Sequence, residues 1–267
     1  MFSSPAVVVA AGRDMGWFGK SRFLDTDVED WMLEAWAWLM TNLGGMERLS
    51  QAPLVAATPA YFPPTETEGH ARALYVLDRI KLLMGVPHWP CALEPFDRPE
   101  ELQRAGFYAA LERRGRANGT FQIRDGQVVI TYASDLTQQP RQLVATLAHE
   151  MGHYLIASVR KPLPGGNELH ELLTDLCVAY HGFGLFGANA AFRFEQHQDT
   201  FGQGWSAARS GYLSESSWAF AIALFAALSG EEVPPGQLKD SVATLTRRAS
   251  RYLQRNPALI EPLRTIA

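Results

Sequence analysis

The sequence is poor in cysteine, in excess positive charge and in long apolar runs. Its 267 residues contain two cysteines, Cys91 and Cys177, too few for a disulfide framework, so we expect two buried thiols. A formal net charge of −4 gives no basis for a general nucleic-acid binder. No run approaches the roughly 18 apolar residues of a membrane span, and no basic residue precedes the apolar patch near the N-terminus. These absences predict a soluble, cytoplasmic protein that engages neither nucleic acid nor membrane.

The chain does have enough apolar content for a sizeable core. Hydrophobic residues make up 47% of the 267 positions, which suffices for a single domain over residues 1–267. That domain could divide into a lobe with the sheet, residues 1–160, and a helical lobe, residues 161–267. The sequence shows no internal repeat or low-complexity segment and carries no signal for an oligomeric state.

Hydrophobic periodicity and turn residues predict a mostly helical chain with a few strands. The clearest β signal is a pair of strand-like segments, 119–124 and 128–132. The turn between them contains Asp125-Gly126, a dipeptide that favours hairpins. Further strands are predicted at 5–12, 54–57 and 91–96, and helices at 26–42, 68–84, 100–113, 141–156, 168–180, 215–228 and from 237 onward.

One stretch makes a sharper chemical prediction, the H-E-x-x-H pattern at His149, Glu150 and His153. On a helix, residues four apart lie one turn above each other with Cβ atoms about 6 Å apart, so both imidazoles can reach one metal ion. Glu150 points to the neighbouring flank, where it can hold a metal-bound water and accept its proton. Pro140, just before the motif helix, suits the first turn of a helix.

Two histidines do not complete a zinc site, because catalytic zinc usually has three protein ligands and a water. The next predicted helix offers Glu168, Glu171 and Asp175, three and four residues apart on a similar face. Glu171 is the best candidate for the third ligand, although Glu168 or Asp175 could replace it. With Glu171 as the ligand, Asp175 could accept the outer N–H of a ligand histidine and fix its tautomer.

The H-E-x-x-H motif followed by Glu171-Leu-Leu-Thr-Asp175 resembles the pattern of the gluzincin metallopeptidases, the thermolysin-like branch of the zincins. The resemblance covers about forty residues of the chain. It implies that His149, His153 and Glu171 bind Zn²⁺. It also implies that Glu150 acts as the base and that Asp175 supports a ligand histidine. The hairpin before the motif helix suits a zincin too, whose sheet-edge strand can pair with an extended substrate.

Members of this family also use a histidine or tyrosine to stabilise the transition state, and the motif does not identify that residue here. Tyr212, His181 and His197 are the candidates. Tyr212 is favoured as a catalytic residue because it lies in a Gly-Tyr turn before a predicted helix. The other histidines outside the motif are expected to be ordinary surface or core residues: His70, His88 and His170.

The sequence therefore predicts an α+β, zincin-like domain that is mostly helical, with a small mixed sheet behind the motif helix. We predict a zinc metallopeptidase that hydrolyses peptide or related amide bonds, with a peptide or protein substrate as its partner. The alternative is a non-catalytic protein of the same fold, regulatory or partner-binding, whose metal is structural or absent. Glu150 beside both histidines favours the enzyme, because a purely structural site needs no base.

Overall fold

The computed structural model describes residues 22–98, 118–195 and 212–267. These residues form an α+β fold in which helices predominate and three strands make one mixed sheet. The predicted fold class is confirmed at this level. Within these ranges, no helix is both long and apolar enough to cross a membrane. Three predicted features lie outside the described residues: the strand at 5–12, the helix at 100–113 and His197.

In the described part of the chain, three helices precede the sheet and the others follow it. The first half contains α1 (Thr26–Leu43), α2 (Gly45–Gln51), α3 (Gly69–Leu83), β1 (Ala92–Phe96), β2 (Gly119–Arg124) and β3 (Gln127–Ala133). The second half contains α4 (Pro140–Ser158), α5 (His170–Tyr180), α6 (Gly184–Glu195), α7 (Glu215–Ser229), α8 (Asp240–Arg255) and α9 (Glu261–Arg264). Short 3-10 turns occur at Ser134–Gln138, Asn167–Leu169 and Pro257–Leu259.

The sheet has the strand order β1-β3-β2, with β1 parallel and β2 antiparallel to β3. Asp125 and Gly126 form the two-residue turn between β2 and β3, with φ values of 50° and 78°. Positive φ at both positions is what a type I′ hairpin turn requires. Thr120 and Thr131 lie opposite each other with their hydroxyl oxygens 2.8 Å apart. The predicted hairpin is confirmed, and among residues 22–98, 118–195 and 212–267 it places β2 at one edge of the sheet.

Helix α4 packs against β2, β3 and the neighbouring helices α3, α5 and α6. Its apolar stripe is at most 2% exposed and consists of Leu143, Leu147, Met151 and Leu155. Burying each such side chain contributes roughly 1.5–3 kcal/mol, so the stripe fixes the rotation of α4 about its axis. Pro140 takes the first-turn position, where its missing N–H has no helical partner to lose. The predicted motif helix is confirmed.

Helix α1 holds the connector between α4 and α5 in place. The indole N–H of Trp31 donates to the carbonyl of Pro164 at 3.2 Å, and that of Trp38 donates to the carbonyl of Pro162 at 2.9 Å. The glycines that follow Pro164 have φ values of 77° and 72°, a region that other residues rarely adopt. Because the connector is anchored in this way, the start of α5 has a defined position relative to α4.

One predicted strand is absent from the structure, and the start of the helix expected from 237 differs most from its prediction. Segment 54–57 is not a strand, because Val55 N–H donates to the carbonyl of Gly182, after α5, instead of pairing with the sheet. The helix expected from 237 begins at Asp240. Gln237 lies before it, where its side-chain oxygen accepts a backbone N–H from the 54–57 segment at 3.3 Å.

The two cysteines differ in their surroundings. Both are free thiols. Cys177 is buried within α5 as expected, whereas Cys91, just before β1, is partly exposed. The prediction of two buried thiols is therefore wrong for Cys91.

Candidate metal centre

Helix α4 presents both motif histidines on the same flank. The ring centroids of His149 and His153 are 4.7 Å apart, and the ring planes are inclined at 86°. Their side chains are 17% and 13% exposed. Phe121 of β2 stacks against the ring of His153 with a centroid separation of 6.3 Å. The two imidazoles are thus partly buried beside β2.

Helix α5 supplies a third group beside the two imidazoles. Glu171, in its first turn, places Oε2 3.1 Å from Nε2 of His149 and 3.4 Å from Nε2 of His153. Gly152 allows α4 and α5 to approach closely, because a Cβ there would come within 3.0 Å of the Thr174 methyl group. One ligand atom from each of His149, His153 and Glu171 lies within 4.8 Å of the others.

The separations of the Glu171 oxygen from the two imidazole nitrogens fit a zinc ion. Two ligands bound at 2.0–2.2 Å to a tetrahedral ion are separated by about 3.3 Å. The carboxylate oxygen of Glu171 is 3.1 and 3.4 Å from the two imidazole nitrogens. Two imidazole nitrogens and one carboxylate oxygen also suit zinc better than magnesium or calcium, which prefer oxygen ligands alone. The residues present therefore match the metal that the motif implies.

Hydrogen bonds at the outer nitrogens fix the orientation of both rings. Nδ1 of His149 is 3.1 Å from Oδ1 of Asp175, and because a carboxylate only accepts, this nitrogen carries the proton. Nδ1 of His153 is 3.2 Å from the hydroxyl of Thr174, which itself donates to the carbonyl of His170 at 2.9 Å. That hydroxyl therefore accepts from His153. Both rings turn Nε2 toward the centre, as metal-binding histidines do.

The cluster carries a defined set of charges in the metal-free protein. Burial alone would lower the pKa of His149, but hydrogen bonds to Asp175 and Glu171 outweigh it and raise that pKa to about 10. Burial would likewise raise the pKa of Glu171, but the hydrogen bond and the positive charge of His149 hold it well below its usual range. Burial lowers the pKa of His153. At neutral pH the centre therefore contains a charged His149, a neutral His153 and an ionised Glu171.

Glu150 lies beside the cluster, between α4 and β2. It is 6% exposed, and burial raises its pKa to about 7 even though the charge of His149 opposes this shift. The backbone N–H of Phe121 donates to its carboxylate. Gly119 lets the strand pass close, because a Cβ there would come within 3.0 Å of Oε1 of Glu150. A carboxyl group with this pKa can both accept and return a proton near pH 7.

Tyr212 also lies at the centre, just before α7. Its ring centroid is 6.0 Å from that of His149. Burial raises the pKa of Tyr212 well above its usual range, and the negative charges of Asp175, Glu171 and Glu150 raise it further. The phenol therefore keeps its proton at neutral pH, which is the condition for donating a hydrogen bond to a negative oxygen.

Other predicted candidates lie away from the centre. Glu168 is exposed in the 3-10 turn before α5 and is not part of the three-residue cluster. His181 follows the far end of α5, about 15 Å along the helix axis from Glu171. Its Nδ1 lies 3.4 Å from a guanidinium nitrogen of Arg48. The structure thus brings together Glu171, Asp175 and Tyr212 with the motif but leaves Glu168 and His181 outside.

Two residues of the centre were missed by sequence reasoning. Thr174, which orients His153, lies three residues after Glu171, so helical spacing alone could have identified it. His170 has its ring centroid 5.0 Å from that of His153, so the expectation of an ordinary residue overlooked its place at the centre. The expectation holds for the remaining two, since His70 Nδ1 lies 3.1 Å from the hydroxyl of Tyr132 and His88 is exposed.

Comparisons with known proteins add no further information about this centre. No protein-family model matches the chain, and searches of curated proteins and of solved structures gave no match. The chemistry must therefore follow from the side chains described above and from their geometry.

Proposed function

We propose that the protein is a zinc-dependent hydrolase of peptide or amide bonds, with a zincin-like fold around α4 and β2. The observation that carries the proposal is the convergence of Nε2 of His149, Nε2 of His153 and Oε2 of Glu171, at the separations of 3.1 and 3.4 Å. The resemblance of the motif to the gluzincin metallopeptidases supports the same class of reaction.

His149, His153 and Glu171 would hold the ion. When bound, zinc supplies a Lewis acid that polarises the substrate carbonyl and makes a water molecule more acidic. Three protein ligands are the number typical of catalytic zinc, whereas structural zinc has four. Asp175 and Thr174 keep the two imidazoles in the orientation that binding requires.

Glu150 acts as the base and then as the acid. In the metal-free protein burial raises the pKa of this carboxyl group to about 7. As a carboxylate beside the ligand cluster, it would take a proton from the attacking water and pass it to the leaving amine. The hydrogen bond from Phe121 holds the carboxylate toward β2, where an extended substrate would lie. A structural metal would need no buried carboxyl group with this pKa, so Glu150 favours the hydrolase over the non-catalytic alternative.

Tyr212 stabilises the negative oxygen that develops on the substrate carbonyl. Its raised pKa keeps the phenol protonated, and its ring lies 6.0 Å from that of His149. A donor aimed at a developing oxyanion acts most strongly in a partly buried site, where water screens the interaction less.

The edge strand β2 indicates that the substrate is an extended peptide. β2 ends the strand order β1-β3-β2 among the described residues, so its outer edge can accept the backbone of a further strand. Phe121 and Ile123 lie on the same face of β2, since side chains alternate along a strand. Phe121 stacks on His153, and Ile123 is 62% exposed, which provides an apolar surface for substrate side chains.

The proposal is tested by measuring zinc content and peptide hydrolysis in matched variants. Purified protein should contain about one zinc per chain by inductively coupled plasma mass spectrometry and should cleave a library of quenched fluorogenic peptides. Glu171→Ala should lose zinc and activity, whereas the control Glu168→Ala should keep both. Glu150→Gln should keep zinc and lose activity by a factor of about 100 or more.

Two results would contradict the proposal. Full zinc content in Glu171→Ala would show that Glu171 is not the third ligand. Cleavage at the wild-type rate by Glu150→Gln would show that Glu150 is not the base. Retention of zinc without any hydrolysis by the wild-type protein across the library would favour the non-catalytic alternative.

A further inference from the structure

We propose that Asp175 is a positioning residue for two parts of the centre at once: it orients His149 and it holds the backbone next to Tyr212. This inference rests on the proposed function, in which His149 is a ligand and Tyr212 stabilises the oxyanion. According to this inference, one carboxylate connects two parts of the protein. The first is the group of proposed metal ligands on α4 and α5, and the second is the segment that leads into α7.

The two oxygens of Asp175 have different partners. Oδ1 is 3.1 Å from Nδ1 of His149, and Oδ2 accepts the backbone N–H of Leu213 at 3.0 Å. The Asp175 side chain is only 6% exposed, so neither bond competes freely with water. Both donors are held by a single acidic side chain in the middle of α5.

The bond to Leu213 determines where the neighbouring tyrosine lies. Leu213 is 5% exposed, and Ser214 after it caps α7 by accepting the backbone N–H of Ser217. Tyr212 therefore immediately precedes Leu213, whose N–H is held by Asp175 and whose next residue caps α7. Its ring reaches to 6.0 Å from that of His149 because Asp175 ties the two segments together.

The second ligand histidine is connected differently. Nδ1 of His153 donates to the hydroxyl of Thr174, which in turn donates to the carbonyl of His170 within α5. That chain of hydrogen bonds ends on the backbone of its own helix and does not reach Leu213. Thr174→Val, which removes the hydroxyl and keeps the shape, is therefore a matched control: it disturbs one ligand without disturbing the tyrosine segment.

The arrangement couples metal binding to the backbone of Leu213. A metal ion that immobilises the ring of His149 also immobilises Asp175, and so strengthens the bond that Oδ2 accepts. Because such coupling is reciprocal, the bond to Leu213 strengthens metal binding by the same factor by which metal binding strengthens the bond. Asparagine at position 175 presents one acceptor and one donor group, so it cannot accept from both N–H groups.

The test is amide hydrogen exchange at Leu213, followed by NMR in the chelator-treated protein and after addition of zinc chloride. In the wild-type protein, zinc should slow the exchange of this amide. Asp175→Asn should exchange at Leu213 about tenfold or more faster than the wild type without metal, and zinc should no longer slow it. Thr174→Val should weaken zinc binding by about 10- to 100-fold yet keep the wild-type exchange rate at Leu213 in the metal-free state.

A second readout follows the tyrosine itself. In protein labelled with 3-fluorotyrosine, the fluorine signal that disappears in Tyr212→Phe belongs to this residue. That signal should shift in Asp175→Asn and stay in place in Thr174→Val. At saturating zinc, Asp175→Asn should lower kcat more than Thr174→Val does, with KM similar in the two.

Unchanged exchange at Leu213 in Asp175→Asn, or an equal change in Thr174→Val, would overturn the inference. Should Asp175→Asn fail to fold, the wild-type protein decides, because zinc binding that leaves the Leu213 exchange rate unchanged overturns it as well. The proposed function fails separately, if zinc does not bind the wild type. In that case, the metal-free exchange rates and fluorine spectra still decide the role of Asp175.

Discussion

Replacing Glu150 with glutamine should stabilise the protein at neutral pH while it abolishes hydrolysis. The carboxyl group is 6% exposed, and burial raises its pKa from 4.5 to about 7. This difference corresponds to roughly 3 kcal/mol in favour of the protonated form in the folded protein. Glutamine resembles that neutral form in shape and can still accept the N–H of Phe121. The variant therefore avoids the cost of burying a carboxylate.

The sign of the pH dependence follows from the direction of the pKa change. A group whose folded pKa lies above its unfolded pKa stabilises the fold at low pH and loses that contribution as the pH rises through the folded pKa. For Glu150 this window runs from 4.5 to about 7. Wild type and Glu150→Gln should therefore be similar near pH 4.5, and the variant should be more stable by up to about 3 kcal/mol above pH 7.

Urea unfolding of chelator-treated protein between pH 4.5 and 8 measures this difference. Glu168→Gln is the control, because Glu168 is exposed and its replacement should change the free energy of unfolding by less than about 0.5 kcal/mol. A difference between wild type and Glu150→Gln that stays constant over the whole pH range would refute the reasoning. The carboxylate would then be well solvated, and its pKa could not be the one that suits a base at neutral pH.

Three further outcomes are expected. Gly119→Ala should destabilise the protein by about 1–3 kcal/mol in urea unfolding and should lower kcat. The added Cβ of the alanine would lie 2.8 Å from the carbonyl of Thr131 and 3.0 Å from Glu150 Oε1. Zinc affinity should rise about tenfold per pH unit from pH 6 to 8, as measured by competition with a chromophoric chelator. The reason is that His149, whose pKa is raised to about 10, must lose a proton before it can bind zinc. Tyr212→Phe should lower kcat by about 100- to 1,000-fold at constant zinc content, since a donor to the oxyanion is lost. A Tyr212→Phe variant with wild-type kcat would exclude that role.

The parts of the fold and centre that sequence predicted well depend on local spacing. Asp125-Gly126 determines a two-residue turn by its own backbone preferences, so the hairpin could be placed without knowledge of the rest of the chain. The stripe that buries α4 and the separation of His149 from His153 follow from helical periodicity. The same periodicity brings Glu171 and Asp175 to one face of α5.

The parts that sequence did not predict depend on contacts between distant segments. The apolar segment that contains Val55 predicts a strand, but the N–H of Val55 donates to the carbonyl of Gly182 instead of to a neighbouring strand. Leu213 is 38 residues from Asp175. Every residue except proline has a backbone N–H, so the sequence contains no pattern that predicts this hydrogen bond. The turn before α7 predicts Tyr212 rather than His181 from the sequence. In the structure the ring of Tyr212 lies 6.0 Å from that of His149, whereas His181 lies beside Arg48 beyond the far end of α5.

The charges of the centre explain how three candidate ligands can be assembled in the metal-free protein. Glu171 and Asp175 would repel each other if nothing positive lay between them. The raised pKa of His149 keeps its ring positively charged there, with Nδ1–H donating to Asp175 and a second proton, on Nε2, donating to Glu171. This proton occupies the Nε2 lone pair that a zinc ion would use, so binding replaces one positive charge by two. The Glu171 oxygen already lies 3.1 and 3.4 Å from the two imidazole nitrogens, close to the separation of about 3.3 Å between ligands of a tetrahedral ion. Most of the ordering of the ligands is therefore complete on folding, and removal of zinc should leave the fold intact.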